Sequence, residues 1–92
     1  MNKQQVFDAI VKAINDVERM SGQTLSKVRL KDIPINDLYG FDSLRGLEVT
    51  VALSIELEIT IDDKINLFVS QDGRRAASME EIVDKVHSLI QE

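Results

Sequence analysis

The chain has 92 residues, 43% of them apolar and 29% charged, the composition of one ordinary globular domain rather than a disordered segment or a multidomain assembly. At this length a chain buries roughly 60 to 70% of the surface exposed when unfolded, enough for one modest core but not for a deep, independently walled catalytic cleft as well. There is no cysteine, which excludes disulfides, thiolate zinc sites and cysteine nucleophiles. The formal charge is −5, and it is unevenly spread: residues 1–31 sum to +3, residues 32–63 to −7 and residues 64–92 to −1. An acidic centre argues against nucleic acid as a ligand and favours partners with basic docking patches. No apolar run approaches the ~18 residues of a membrane span. No secretory h-region follows Met1, so the expected address is cytoplasmic.

In chain order, Val6, Ile10, Ala13, Ile14 and Val17 form one stripe at i, i+4, i+7, i+8 and i+11, which predicts an amphipathic helix from Lys3 to Met20. Ser21-Gly22 supplies its stop. From Ser21 to Asp42 no helical period is sustained, and Pro34 opposes a regular helix through the middle. A loop of that length is expected to be packed down by Leu25, Val28, Leu30, Ile33, Ile35, Leu38 and Phe41. The stretch Val28-Arg29-Leu30-Lys31 alternates like a strand but has no partner, and reads as extended loop.

The helical pattern returns from Ser43 to Glu58 with two apolar lines: Val49, Leu53 and Leu57 on one, and Leu44, Leu47, Val51 and Ile55 on the other. An apolar arc this wide belongs to a central helix or to one that shows a line to a partner. Asp42 is its expected N-cap. Gly46, which costs a helix roughly 1 kcal/mol relative to alanine, points to the close approach of another group. An extended connection through Ile59-Thr60-Ile61 leads to Asp62 or Asp63, either of which could cap a short helix reaching about Val69. A polar turn around Asp72-Gly73 follows. Ser78-Met79-Glu80-Glu81 reads as a capping box for a final helix, with Met79, Val83, Val86 and Ile90 inward. The expected fold is therefore all-α: a monomeric four-helix bundle of three longer helices and one short one, with a long loop between the first two.

Little in this chain supports enzymatic chemistry. A serine hydrolase needs a base beside its nucleophile, yet His87 is the sole histidine and belongs to the surface of the last helix. Gly40-Phe41-Asp42-Ser43-Leu44 shares one glycine with a nucleophile elbow and follows a loop instead of a strand. No glycine-rich phosphate loop is present, and Asp62, Asp63 and Asp72 lack calcium-loop spacing. What stands out is Asp42-Ser43-Leu44 at a helix start, where unpaired amides and the macrodipole favour an attached negative group on Ser43. Position alone favours a serine that merely helps start the helix, since serine is common in the first turn.

Asp37-Leu38-Tyr39-Gly40-Phe41-Asp42-Ser43-Leu44 resembles the D-L-G-x-D-S-L signature of the acyl carrier proteins, with one extra residue near Tyr39. The likeness continues in register through Glu48, Ala52, Leu53, Glu56 and the Ile59-Thr60-Ile61-Asp62-Asp63 exit. It implies that a phosphopantetheinyl transferase moves 4′-phosphopantetheine from coenzyme A onto Ser43, with Asp42 helping that enzyme hold its metal. The arm's thiol would then hold acyl groups as thioesters for acyl-transfer, synthase or ligase enzymes of fatty acid, specialised lipid or polyketide biosynthesis. The chain would be a carrier and not itself an enzyme. The resemblance also implies partner contacts at Leu44, Leu47, Val51 and Ile55, with Glu48 and Glu56 steering toward basic patches. From periodicity, Leu47 and Val51 fit core and partner face equally.

Three departures from the family's pattern point to a specialised carrier. Arg45 stands where the family commonly has an acid, Ser54 and Ile55 replace frequent glutamates, and the chain between Asp62 and Ser78 is longer, with Arg74 and Arg75 as a basic spot. That insertion fits a widened acyl pocket, a partner epitope or a tolerated surface loop. Two other readings stay open: an aminoacyl or peptidyl carrier, and an unmodified helical adaptor that binds partners through the helix beginning at Ser43.

Overall fold

The computed structural model describes residues 1–20, 28–37, 41–61, 65–70 and 74–91. Four helices occur among them: α1 (Lys3–Met20), α2 (Pro34–Asp37), α3 (Ser43–Glu56) and α4 (Met79–Gln91). No strand occurs among the described residues, which carry one isolated antiparallel bridge, Val69 with Ala76. Ser21-Gly22, Leu25, Leu38, Tyr39, Gly40, Asp62, Asp63 and Asp72-Gly73 lie outside them.

Helix α1 has the span its periodicity predicts, and Val6, Ile10, Ala13, Ile14 and Val17 are all buried. Its start is a reciprocal cap: the Gln5 amide donates to Asn2 Oδ1 at 2.8 Å, and the Asn2 amide donates to Gln5 Oε1 at 2.9 Å. Both α3 and α4 pack against α1. The core is completed by Val49 and Leu53 of α3, by Met79, Ile82, Val83 and Val86 of α4, and by Leu67 and Phe68 between them. The radius of gyration, 11.9 Å, is close to the roughly 12 Å of a compact chain of this length.

Two expectations need correction. The short helix is not the one expected to end near Val69 but α2, inside the segment read as loop. Pro34 sits at its first position, where a missing amide hydrogen costs nothing and the fixed φ suits a helix. The Ile33 amide donates to Asp37 Oδ2 at 2.6 Å and closes the turn. Residues 65–70 form a turn instead, because the Phe68 amide donates to Asn66 Oδ1 at 3.0 Å and the Val69 amide to the Asn66 carbonyl at 3.2 Å. An asparagine that bonds the backbone two residues on competes with helix formation. Leu30, expected as a loop anchor, is exposed, whereas Val28 and Phe41 are buried and Ile35 packs on the core.

Helix α3 ends in a Schellman arrangement. The Ile59 amide donates to the Ser54 carbonyl at 3.0 Å and the Glu58 amide to the Ile55 carbonyl at 3.3 Å, with Glu58 left-handed at φ 53°. At α4 the predicted capping box is present: the Glu81 amide donates to Ser78 Oγ at 3.3 Å and the Ser78 amide to Glu81 Oε1 at 3.2 Å. The 28–32 segment closes the same helix start, its Asp32 and Leu30 carbonyls accepting from the amides of Met79 (2.8 Å) and Glu80 (3.0 Å).

Candidate functional site at the start of helix α3

Phe41 is buried, and its ring lies 5.1 Å from that of Phe68 at an interplanar angle of 54°, which anchors the chain just before the helix. Asp42 then turns extended (φ −115°, ψ −174°), and its Oδ1 accepts from the Arg45 amide at 2.9 Å, the N-cap bond the sequence predicts. Ser43 is the first helical residue and is exposed. Among the described residues nothing bonds its hydroxyl, its amide or the amide of Leu44. These groups face the positive end of the helix dipole, where a negative group is stabilised.

Behind the serine, residues 65–68 form a strap across the first two turns of α3. Asn66 Nδ2 donates to the Ser43 carbonyl at 2.8 Å, and the Leu67 amide donates to Thr50 Oγ1 at 3.2 Å. The Thr50 hydroxyl in turn donates to the Gly46 carbonyl at 2.9 Å. Gly46 is buried under this strap, and a Cβ there would lie 2.9 Å from Phe68 Cβ and 3.0 Å from Asn66 Oδ1. The close approach that a glycine in this helix implies is thus made by Asn66 and Phe68.

The two apolar lines of α3 separate cleanly. Val49 and Leu53 are fully buried and Leu57 packs against the core, whereas Leu44, Val51 and Ile55 are 64%, 53% and 73% exposed. Leu47 lies at the boundary, half-buried. Glu48 and Glu56 are exposed on the flanks, but each is paired within the chain. Arg45 Nη1 donates to Glu48 Oε2 at 3.3 Å, and Lys12 Nζ donates to Glu56 Oε1 at 3.2 Å, with Asp16 3.7 Å from the same ammonium. The bond to Glu56 and the two carboxylate charges push the Lys12 pKa above its ordinary value. Arg45 also lies 3.6 Å, through Nε, from Oε1 of the buried Glu18, an ion pair without a hydrogen bond.

The segment between Asp62 and Ser78 is a narrow ribbon where it is described. The Ser70 amide donates to the Arg75 carbonyl at 2.7 Å and the Ala77 amide to the Phe68 carbonyl at 2.9 Å. Arg75 grips Glu81 with two bonds, of 3.0 and 2.8 Å, so half of the basic spot seen in the sequence is used to brace α4. That pair, with the Ser78 amide, holds the Glu81 carboxyl down at about 2. Among the described residues no cluster of three or more His, Asp or Glu side chains could hold a metal ion.

The structure therefore brings Asp42, Ser43 and Leu44 together at one helix start and sets Val51 and Ile55 on the exposed line that continues from it. Sequence reasoning missed Asn66, whose partner is 23 residues away, and the Glu18–Arg45 pair, whose acid sits beside the apolar stripe of α1. No family model matches this sequence, and no curated protein or solved structure is significantly similar to it.

Proposed function

We propose that this chain is an acyl carrier, with 4′-phosphopantetheine attached to Ser43, and that it delivers thioester-bound acyl groups to partner enzymes without catalysis of its own. The observation that supports this most is the open start of α3. An exposed serine with an unclaimed hydroxyl stands between a capping aspartate and an exposed leucine, and two unclaimed amides lie at the positive end of the helix. A phosphodiester suits those residues. Asp42 spends one oxygen on the cap and keeps the other for a metal brought by the transferase.

In the transfer, Ser43 Oγ attacks the phosphorus of coenzyme A that bears pantetheine. The pyrophosphate P–O bond breaks, adenosine 3′,5′-bisphosphate leaves, and the hydroxyl proton passes to a base of the transferase. The attached arm supplies a terminal thiol, which is how a chain without cysteine would carry thioesters. Tethering presents one cargo to several enzymes at high effective concentration. With Glu48 and Glu56 already paired to Arg45 and Lys12, the face offered to those enzymes relies more on Leu44, Val51 and Ile55 than on unpaired acid. This fits a dedicated pathway rather than housekeeping partners with basic docking patches.

The exposed Leu44–Val51–Ile55 line equally favours a second reading, an adaptor that docks through α3 with Ser43 unmodified. Incubation of the apo protein with coenzyme A and a broad-specificity phosphopantetheinyl transferase, read by intact mass, separates the two. The carrier gains one phosphopantetheine and the Ser43→Ala variant gains none. A folded protein that stays unmodified beside a modified control carrier would favour the adaptor.

A further inference from the structure

We infer that Asn66 is a positioning residue for group transfer at Ser43, a role that rests on the carrier reading. Helix starts fray, and the first residue of α3 has neither its amide nor its hydroxyl held by a described residue. What holds it is its carbonyl, which accepts from Asn66 Nδ2 at 2.8 Å. The carboxamide is itself oriented, because its other end accepts from the Phe68 amide at 3.0 Å. Phe68 is fully buried, packed at a tilt against Phe41 on the N-terminal side of Ser43 and set against Gly46 on the C-terminal side. The Leu67 amide bonded to Thr50 fixes the strap to the next turn of α3. The backbone of Ser43 is thus gripped before, behind and after it while its side chain stays in solvent.

Such a grip serves a nucleophile that an external enzyme must find in one place. A reacting group misplaced by about 1 Å can lose on the order of a hundredfold in rate. The missing Cβ at Gly46 is the structural condition for it, since any larger residue would push Asn66 and Phe68 off the helix. The strap comes from the segment whose extra length departs from the family's pattern, which gives that segment a role at the modified serine.

Asn66→Asp isolates the one bond: it keeps an acceptor for the Phe68 amide but replaces the donor to Ser43 by an oxygen that repels the carbonyl. We expect kcat for phosphopantetheine transfer to fall by about tenfold or more. KM for the carrier should change by less than about twofold, because the exposed line that meets the enzyme is untouched. Val86→Ala, a core truncation in α4 that leaves the Asn66 bonds in place, controls for lost stability and should keep the wild-type kcat. Should Asn66→Asp not fold, Asn66→Ala is measured in its place. A wild-type kcat in the Asn66 variant, a loss confined to KM, or an equal loss in Val86→Ala would overturn the positioning role. If wild type itself is not modified, the carrier reading fails first and this role with it.

Discussion

Helices α3 and α4 each begin with a serine beside a carboxylate, yet the two starts are finished in different ways. At α4 every donor of the first turn is spent: Met79 and Glu80 give their amides to the Asp32 and Leu30 carbonyls, Glu81 gives its own to Ser78 Oγ, and Arg75 clamps Glu81 from outside. At α3 Asp42 takes the Arg45 amide, while the hydroxyl of Ser43 and the amides of Ser43 and Leu44 are claimed by no described residue. The first start is a joint that locks the 28–32 loop onto the core. The second is braced by the Asn66–Phe68 strap, and the Ser43 side chain lies in solvent. One helix start is thus closed by the chain's own groups, and the other keeps donors of the kind that stabilise a negative group.

The contrast can be broken most severely by removing the brace. Phe68→Ala takes a fully buried ring from between Phe41 and Gly46 and should cost about 3 to 5 kcal/mol of stability by urea unfolding, a large share of what a domain of this size has. Gly46→Ala is next. Helix propensity alone would gain roughly 1 kcal/mol, but the new Cβ would sit 2.9 Å from Phe68 Cβ, and the net result should be a loss of about 1 to 2 kcal/mol. A stabilised Gly46→Ala protein would mean that the strap does not press on α3.

Much of this architecture was legible in the sequence, and its failures have physical causes. The stripe of α1, the Asp42 cap, the Ser78–Glu81 box and the tight approach at Gly46 depend on neighbours within a turn or two, so spacing alone reveals them. Helix α2 was hidden because Pro34 breaks a helix interior yet suits a helix start, and only the chain around it says which applies. The 65–70 turn was hidden because its determinant is one asparagine side chain bonding its own backbone and a carbonyl on another element. Of the candidate site, the serine, its cap and the exposed leucine could be read locally. The pairing of Glu56 with Lys12 and of Arg45 with Glu18 could not, since each forms only when α1 and α3 meet.

Smaller changes sharpen the same comparison. Ser78→Ala removes a hydroxyl engaged in a cap and should lower stability by about 1 kcal/mol, a fall of about 4 to 8 °C in melting temperature. Ser43→Ala removes one that bonds no described residue and should stay within about 0.5 kcal/mol of wild type. The smallest effect is a pH dependence of the closed start. Folding depresses the Glu81 carboxyl from 4.5 to about 2, so its stabilisation is complete above the unfolded value and is lost as pH falls through the folded one. The urea midpoint of wild type should therefore exceed that of Glu81→Gln at pH 6, and the gap should close between about pH 4.5 and 2. A gap that stays constant over this range would show that Arg75 does not hold Glu81 in solution.

The open start of α3 is tested most directly by locating the modification. After treatment of wild type with coenzyme A and the transferase, proteolysis and fragment-ion mass spectrometry assign the phosphopantetheine to a residue. Ser43 should be modified completely, with Ser78 untouched although it too stands at a helix start. Phosphopantetheine on any other residue, or none on a folded chain under conditions that load a control carrier, would contradict it.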